Sequence, residues 1–92
     1  MDKTCFITPG ELGKKIALNV RTLRKSQKLS IKQLSEVSGV SYGSLKRFES
    51  TGEISLHSLL KIAVVLDCSE AFGQLFVSEH PQSIQEIIDG NL

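Results

Sequence analysis

The sequence predicts an all-α domain. Apolar residues recur at three- and four-residue spacings nearly throughout, and most runs open on a Ser or Thr placed to cap a helix. No segment alternates apolar and polar residues in a sustained way, which leaves only a short extended arm at Thr4–Ile7 outside the helical pattern.

Thr8-Pro9-Gly10-Glu11 reads as a helix start, with Thr8 as N-cap, Pro9 at the first helical position and Glu11 completing a capping box. Leu12, Ile16, Val20 and Leu23 then form one stripe on a helix running to about Gln27. Ser30 caps a second helix with Ile31, Leu34 and Val37 inward, ended by Gly39, which can take the left-handed conformation. Ser41 caps a third, carrying Leu45 and Phe48 and stopping at Thr51-Gly52. Ser55 opens a fourth from Leu56 to Leu66, with Leu59, Leu60, Ile62, Ala63 and Leu66 inward. Ser69 caps a fifth, Glu70 to Phe76, with Phe72, Leu75 and Phe76. After His80-Pro81, Ser83 and Glu86 make another capping-box pattern ahead of Ile87 and Ile88.

Size and composition narrow the function classes. A chain of 92 residues holds one small domain, too little for a barrel or a two-domain enzyme. Apolar residues at 40% and charged residues at 23% match a globular chain. The longest apolar run, Ile62–Leu66, is far short of the roughly 20 residues of a membrane span. With no basic segment and apolar core of a signal peptide at the start, a cytoplasmic protein with no membrane partner is expected. His57 and His80 have no nucleophile or carboxylate at a suggestive spacing, and no GxxxxGK loop is present, so neither catalysis nor a cofactor is expected. Cys5 and Cys68 lack a metal spacing and read as buried apolar thiols; a disulfide between them is disfavoured in the cytosol. No metal site is expected.

The net charge of +1 conceals a segregation. Leu12–Phe48 holds nine basic residues and one acid, Glu36; Glu49–Leu92 holds seven acids and one base, Lys61. A basic surplus on one half of a small domain suggests a polyanion partner. The surplus falls on the first three helices, and only Gly39-Val40-Ser41 separates the second from the third. Two short helices joined by a turn of that length containing Gly form the helix-turn-helix signature. A helix with short N-terminal side chains can enter the major groove while cap groups and basic residues of its neighbours grip phosphates.

From Leu12 to Phe76 the chain resembles the phage-repressor-like (Cro-type, XRE) helix-turn-helix regulators. The resemblance rests on Leu29-Ser30, Leu34-Ser35, Gly39-Val40-Ser41, Ser44-Leu45-Lys46-Arg47-Phe48-Glu49, Gly52, and Leu59-Leu60-Lys61-Ile62-Ala63 through Leu66. It implies a compact five-helix, lambda-repressor-like fold at residues 8–77, preceded by an N-terminal arm at 1–7 and followed by an acidic tail at 78–92. It also implies sequence-specific binding of double-stranded DNA by a regulator, expected to be a repressor, with helix 42–50 in the major groove.

The chain departs from the family at two places. Ile31 stands where the family usually has a phosphate-touching Gln, and Tyr42 and Gly43 stand where Gln or Asn readers are favoured. Arg47 is the leading base-contact residue, because an Arg fork takes guanine O6 and N7 with two parallel bonds. Lys46 reads as a base or phosphate contact, and Ser44 matches a family position near a base edge. Tyr42 stacks on the backbone or touches a thymine methyl, unless its ring shields the turn; Gly43 contributes close approach. Ser30 and Ser41 are N-caps whose hydroxyls sit beside positive helix ends and suit phosphate, with Lys32, Lys14 and Ser50 as further phosphate contacts. The family pairs the positions of Arg24 and Glu49, which implies a structural ion pair.

The second half carries Phe72, Leu75 and Phe76, then Ile84, Ile87 and Ile88 in the acidic tail. These fold back on the domain, form the seam of a homodimer, or dock a partner protein. A narrower resemblance, through residues 44–49, Ile54-Ser55-Leu56 and Phe76, is to small antitoxins that sit beside kinase-type toxins. The alternative function is therefore an antitoxin or adaptor that binds such a partner, with DNA autoregulation secondary.

Overall fold

The computed structural model describes residues 7–78, and its five helices are α1 (Pro9–Ser26), α2 (Ile31–Ser38), α3 (Tyr42–Thr51), α4 (Leu56–Val65) and α5 (Ser69–Gly73). The described chain contains no strand. Cys5, His80, the 83–88 capping box and most of the N-terminal arm lie outside the described residues.

Local chemistry sets the helix starts. Thr8 is extended; its Oγ1 accepts from the Glu11 amide at 3.1 Å while the Glu11 carboxylate accepts from the Thr8 amide at 3.0 Å, which closes the capping box. Ser30 does the same with Gln33, a reciprocal partner that lies beyond the expected Ser30 cap. The hydroxyls of Ser41 and Ser55 accept from the Ser44 and Ser58 amides. Gly39 and Gly52 end α2 and α3 at φ 80° and 82°, where a Cβ would be strained.

Leu34, Val40, Leu45, Ile62 and Leu66 form the core cluster, and Phe48, Ala17 and Ala63 are also buried. The α2–α3 turn is tied down by its own polar groups. Ser35 Oγ donates to the Val40 carbonyl at 2.6 Å, and the Val40 amide donates to Ser38 Oγ. Gln27 reaches from the end of α1 to donate to the Leu66 carbonyl at 2.9 Å, satisfying an orphan acceptor at the end of α4.

Several inward-facing expectations are corrected. On α1 the fully buried positions are Ala17 and Arg24, whereas Ile16, Val20 and Leu23 are half-buried and Leu12 is exposed. The reason is that α1 has a partner on each side. Ala17 and Arg24 lie on the side that meets α3, while Val20 and Leu23 of the expected stripe pack on the core cluster along one edge and stay open along the other, toward the short α5. Between them lies an apolar hollow of about 440 Å³ lined by Ile16, Val20, Leu23, Cys68, Phe72 and Leu75. Val37 is exposed because the first two turns of α2, through Ile31 and Leu34, are the part packed on the core, while the end of the helix projects into solvent. Leu60 also faces outward. With Leu56 and Val64 it makes an exposed stripe at four-residue spacing on α4, whose buried residues are Ile62 and Ala63.

The last helix is shorter than expected. It ends at Gly73, Cys68 occupies its N-cap without a side-chain hydrogen bond, and Ser69 is already helical. Phe76 has left the helix in a left-handed conformation at φ 65° with its ring in solvent. α4 stops at Val65 with Leu66 as C-cap, one residue short of the expected end.

Candidate nucleic-acid interface

α3 is held from behind. The Arg24 guanidinium, near the end of α1, donates to both carboxylate oxygens of Glu49 on α3, from Nε at 2.8 Å and from Nη2 at 3.0 Å. Its remaining terminal nitrogen donates to the Leu29 carbonyl at 2.7 Å, and the two side chains are only 8% and 9% exposed. Two-pronged geometry and a third acceptor give a desolvated Arg the partners it needs. One residue thereby fixes α1, the α1–α2 loop and α3 against each other.

A second clamp sits at the far end of the same seam. A Cβ placed on Gly52 would lie 2.6 Å from the Gly13 carbonyl carbon and from the Lys14 amide; one placed on Gly13 would lie 2.7 Å from the Gly52 oxygen. The backbones of α1 and of the α3 C-cap touch directly, and no side chain fits between them. Sequence reasoning misses Gly13, because a glycine inside a helical run reveals nothing about what approaches it. Lys14, an expected phosphate contact, is exposed and is set by this close approach beside the end of α3.

The outward face of α3 carries Tyr42, Gly43, Ser44, Lys46, Arg47 and Ser50, all exposed, opposite buried Leu45 and Phe48. The Lys46 ammonium lies 5.9 Å from the centre of the Tyr42 ring, one helical turn back, in a cation–π arrangement. Tyr42 is about half exposed, so part of its ring surface is open to solvent. No atom lies within 4 Å of a Cβ built on Gly43, which leaves open space there for close approach. Ser41 Oγ accepts from the Ser44 amide and donates to Ser44 Oγ at 2.9 Å, so both hydroxyls work in the cap.

Two clefts flank this face. In the first, of about 330 Å³, Lys46 and Ser50 meet Arg21 and Ile31 above the buried ion pair. Arg21 is a basic neighbour of Lys46 on this face that sequence reasoning misses. Its charge is visible there, but its place beside Lys46 depends on how α1 crosses α3. Ser30 and Lys32, at the start of α2, are exposed next to Ile31. Ser50 Oγ donates to the Arg47 carbonyl, so its hydroxyl proton is already engaged.

The second cleft, of about 410 Å³, is lined by Ser44, Arg47, Glu53, Ile54, Ser55 and Ser58. Here Arg47 Nη2 donates to the Glu53 carboxylate at 2.9 Å, with both side chains about 70% exposed. The pair joins residues six apart across the end of α3, where the left-handed Gly52 turns the chain back. Cys68 lies away from this surface; burial pushes its thiol above the ordinary cysteine range, and the Asp67 charge adds to the effect.

A short helix, a glycine turn and a second helix with a basic outer face, braced on a bundle, define a helix-turn-helix DNA-binding domain. The family model described as Helix-turn-helix matches residues 20–72, more than half of the chain. The chain belongs to that family, in its XRE type. It is accordingly a DNA-binding transcription regulator, and no described helix is long and apolar enough to cross a membrane. No curated protein and no solved structure matches it.

Proposed function

We propose that the protein is a repressor that binds its operator as a homodimer, each copy laying α3 in the major groove. The carrying observation is the division of α3 into a buried, braced side and an exposed basic side, with Lys46 and Arg47 in solvent. Arg47 reads a guanine; Lys46, Ser44, Tyr42 and Gly43 complete the base-facing surface. Ser30, Lys32 and Lys14 hold the phosphates, with Arg21 beside Lys46; Ser41 and Ser50 join them by turning their hydroxyl protons from Ser44 Oγ and the Arg47 carbonyl to a phosphate oxygen. The domain at 8–77 does the binding, with the arm before it and the acidic tail after it as accessory segments.

Dimerisation is supported by the α4 stripe of Leu56, Leu60 and Val64, because a contiguous apolar face is uncommon on a small monomer. Two copies also match the way such domains read half-sites one helical turn apart. A second reading, an antitoxin or adaptor bound to a partner protein, is favoured by the fully exposed Phe76 ring between exposed Leu75 and Val77. A gel shift with the chain alone against DNA flanking its own gene separates them. A discrete complex, of a size set by two copies, supports the repressor; binding that requires a second protein supports the adaptor.

A further inference from the structure

We infer that Glu53 is a specificity-determining residue that acts by holding Arg47. The inference rests on the proposed groove reading of α3 and extends it to a residue outside the recognition helix. Glu53 is an acid at the edge of an otherwise basic or neutral surface, with its carboxylate 2.9 Å from Arg47 Nη2. Among the described residues no other acid borders this cleft, whose remaining lining is Ser44, Ile54, Ser55 and Ser58.

Both partners are about 70% exposed, so the pair contributes little to folding. Its position gives it a different use. A guanidinium has five N–H donors in a rigid fork, and one bond to Glu53 leaves the others for a base edge. Held in this way, Arg47 does not swing freely to the nearest phosphate. A guanine can still accept its two parallel bonds, whereas a random duplex offers Arg47 only a phosphate contact made beside a competing carboxylate. Glu53 therefore weakens all DNA binding through its charge, and weakens non-cognate binding more, because there Arg47 gains least.

The test is a double-mutant cycle. Parent, Glu53→Gln, Arg47→Ala and the double variant are titrated against a duplex selected from a random pool by the parent and against a scrambled duplex of equal composition. Glu53→Gln is expected to tighten scrambled DNA several-fold and the selected duplex by less, so that discrimination falls about threefold, the scale of an exposed ion pair. In the Arg47→Ala background, Glu53→Gln should leave discrimination unchanged; a fifth variant, Glu53→Asp with Arg47 intact, should keep most of the parent's discrimination. Thermal melts should be unaffected, which separates this role from a structural one.

Equal tightening of both duplexes overturns the inference, because Glu53 then acts only as a distant repulsive charge. A loss of discrimination that persists without Arg47 overturns it too. Failure of the parent to bind any duplex overturns the groove reading beneath it, a result distinct from either.

Discussion

The two sides of α3 differ in what fixes them. The inner side meets α1 through a buried, two-pronged Arg24–Glu49 pair and a glycine-on-glycine approach with no room for a methyl group. The outer side has only exposed interactions, the Lys46–Tyr42 stack and the Arg47–Glu53 pair. Interactions of the first kind govern whether the helix is held; those of the second kind are weak enough to be exchanged for a ligand. A recognition element needs both, since it must arrive in one orientation and still be free to bind. Substitutions on the inner side should therefore lower stability, and those on the outer side should change binding alone.

The largest effect is expected from Arg24→Ala. Glu49 would be left buried without its partner, at a cost of about 3–5 kcal/mol. In a small domain whose total stability is only about 5–10 kcal/mol, that approaches unfolding. A thermal melt followed by circular dichroism checks it; a midpoint within a few degrees of the parent would place Arg24 outside the brace.

Gly52→Ala comes next. The new Cβ would need a left-handed φ and would meet the Gly13 backbone, which cannot move aside as a flexible side chain does. Left-handed strain and overpacking together suggest a loss of about 2–4 kcal/mol. Denaturant unfolding should show a lower midpoint with little change in slope.

On the outer side, Arg47→Ala should leave the melt unchanged and cost about 1–3 kcal/mol on the preferred duplex. Discrimination should flatten at one base pair per half-site, because Tyr42 and Gly43 offer little hydrogen-bond code there. Competition against single-position duplex variants measures it. An equal loss on every sequence would make Arg47 a phosphate contact and move specificity to DNA shape.

The same contrast explains what is legible in the sequence. The capped starts at Thr8, Ser30, Ser41 and Ser55 and the left-handed ends at Gly39 and Gly52 are local chemistry, readable within four residues. Leu34, Leu45, Phe48 and Ile62 are readable as core because their helices have enough turns to set a period. The misses are tertiary. Val37 and Leu60 fit a helical spacing, but which neighbour covers them depends on how short helices cross. The close approach of the Gly13 and Gly52 backbones leaves no trace in composition, and Arg47–Glu53 exists only because Gly52 reverses the chain. Arg21 is visible as a charge and invisible as a neighbour of Lys46. In the site, residue types are legible; their pairing is not.

The proposed function requires the outer face of α3 and its flanking basic groups to neutralise DNA phosphates. That claim is tested most directly by measuring duplex affinity of the full chain across a salt series. If each of two copies neutralises about three to five phosphates through groups such as Lys14, Lys32 and Lys46, log affinity should fall against log salt with a slope of roughly −5 to −9. Lys46→Ala should reduce that slope by about one per copy if it grips a phosphate. A slope near zero, or no binding to any duplex at low salt, would contradict the account.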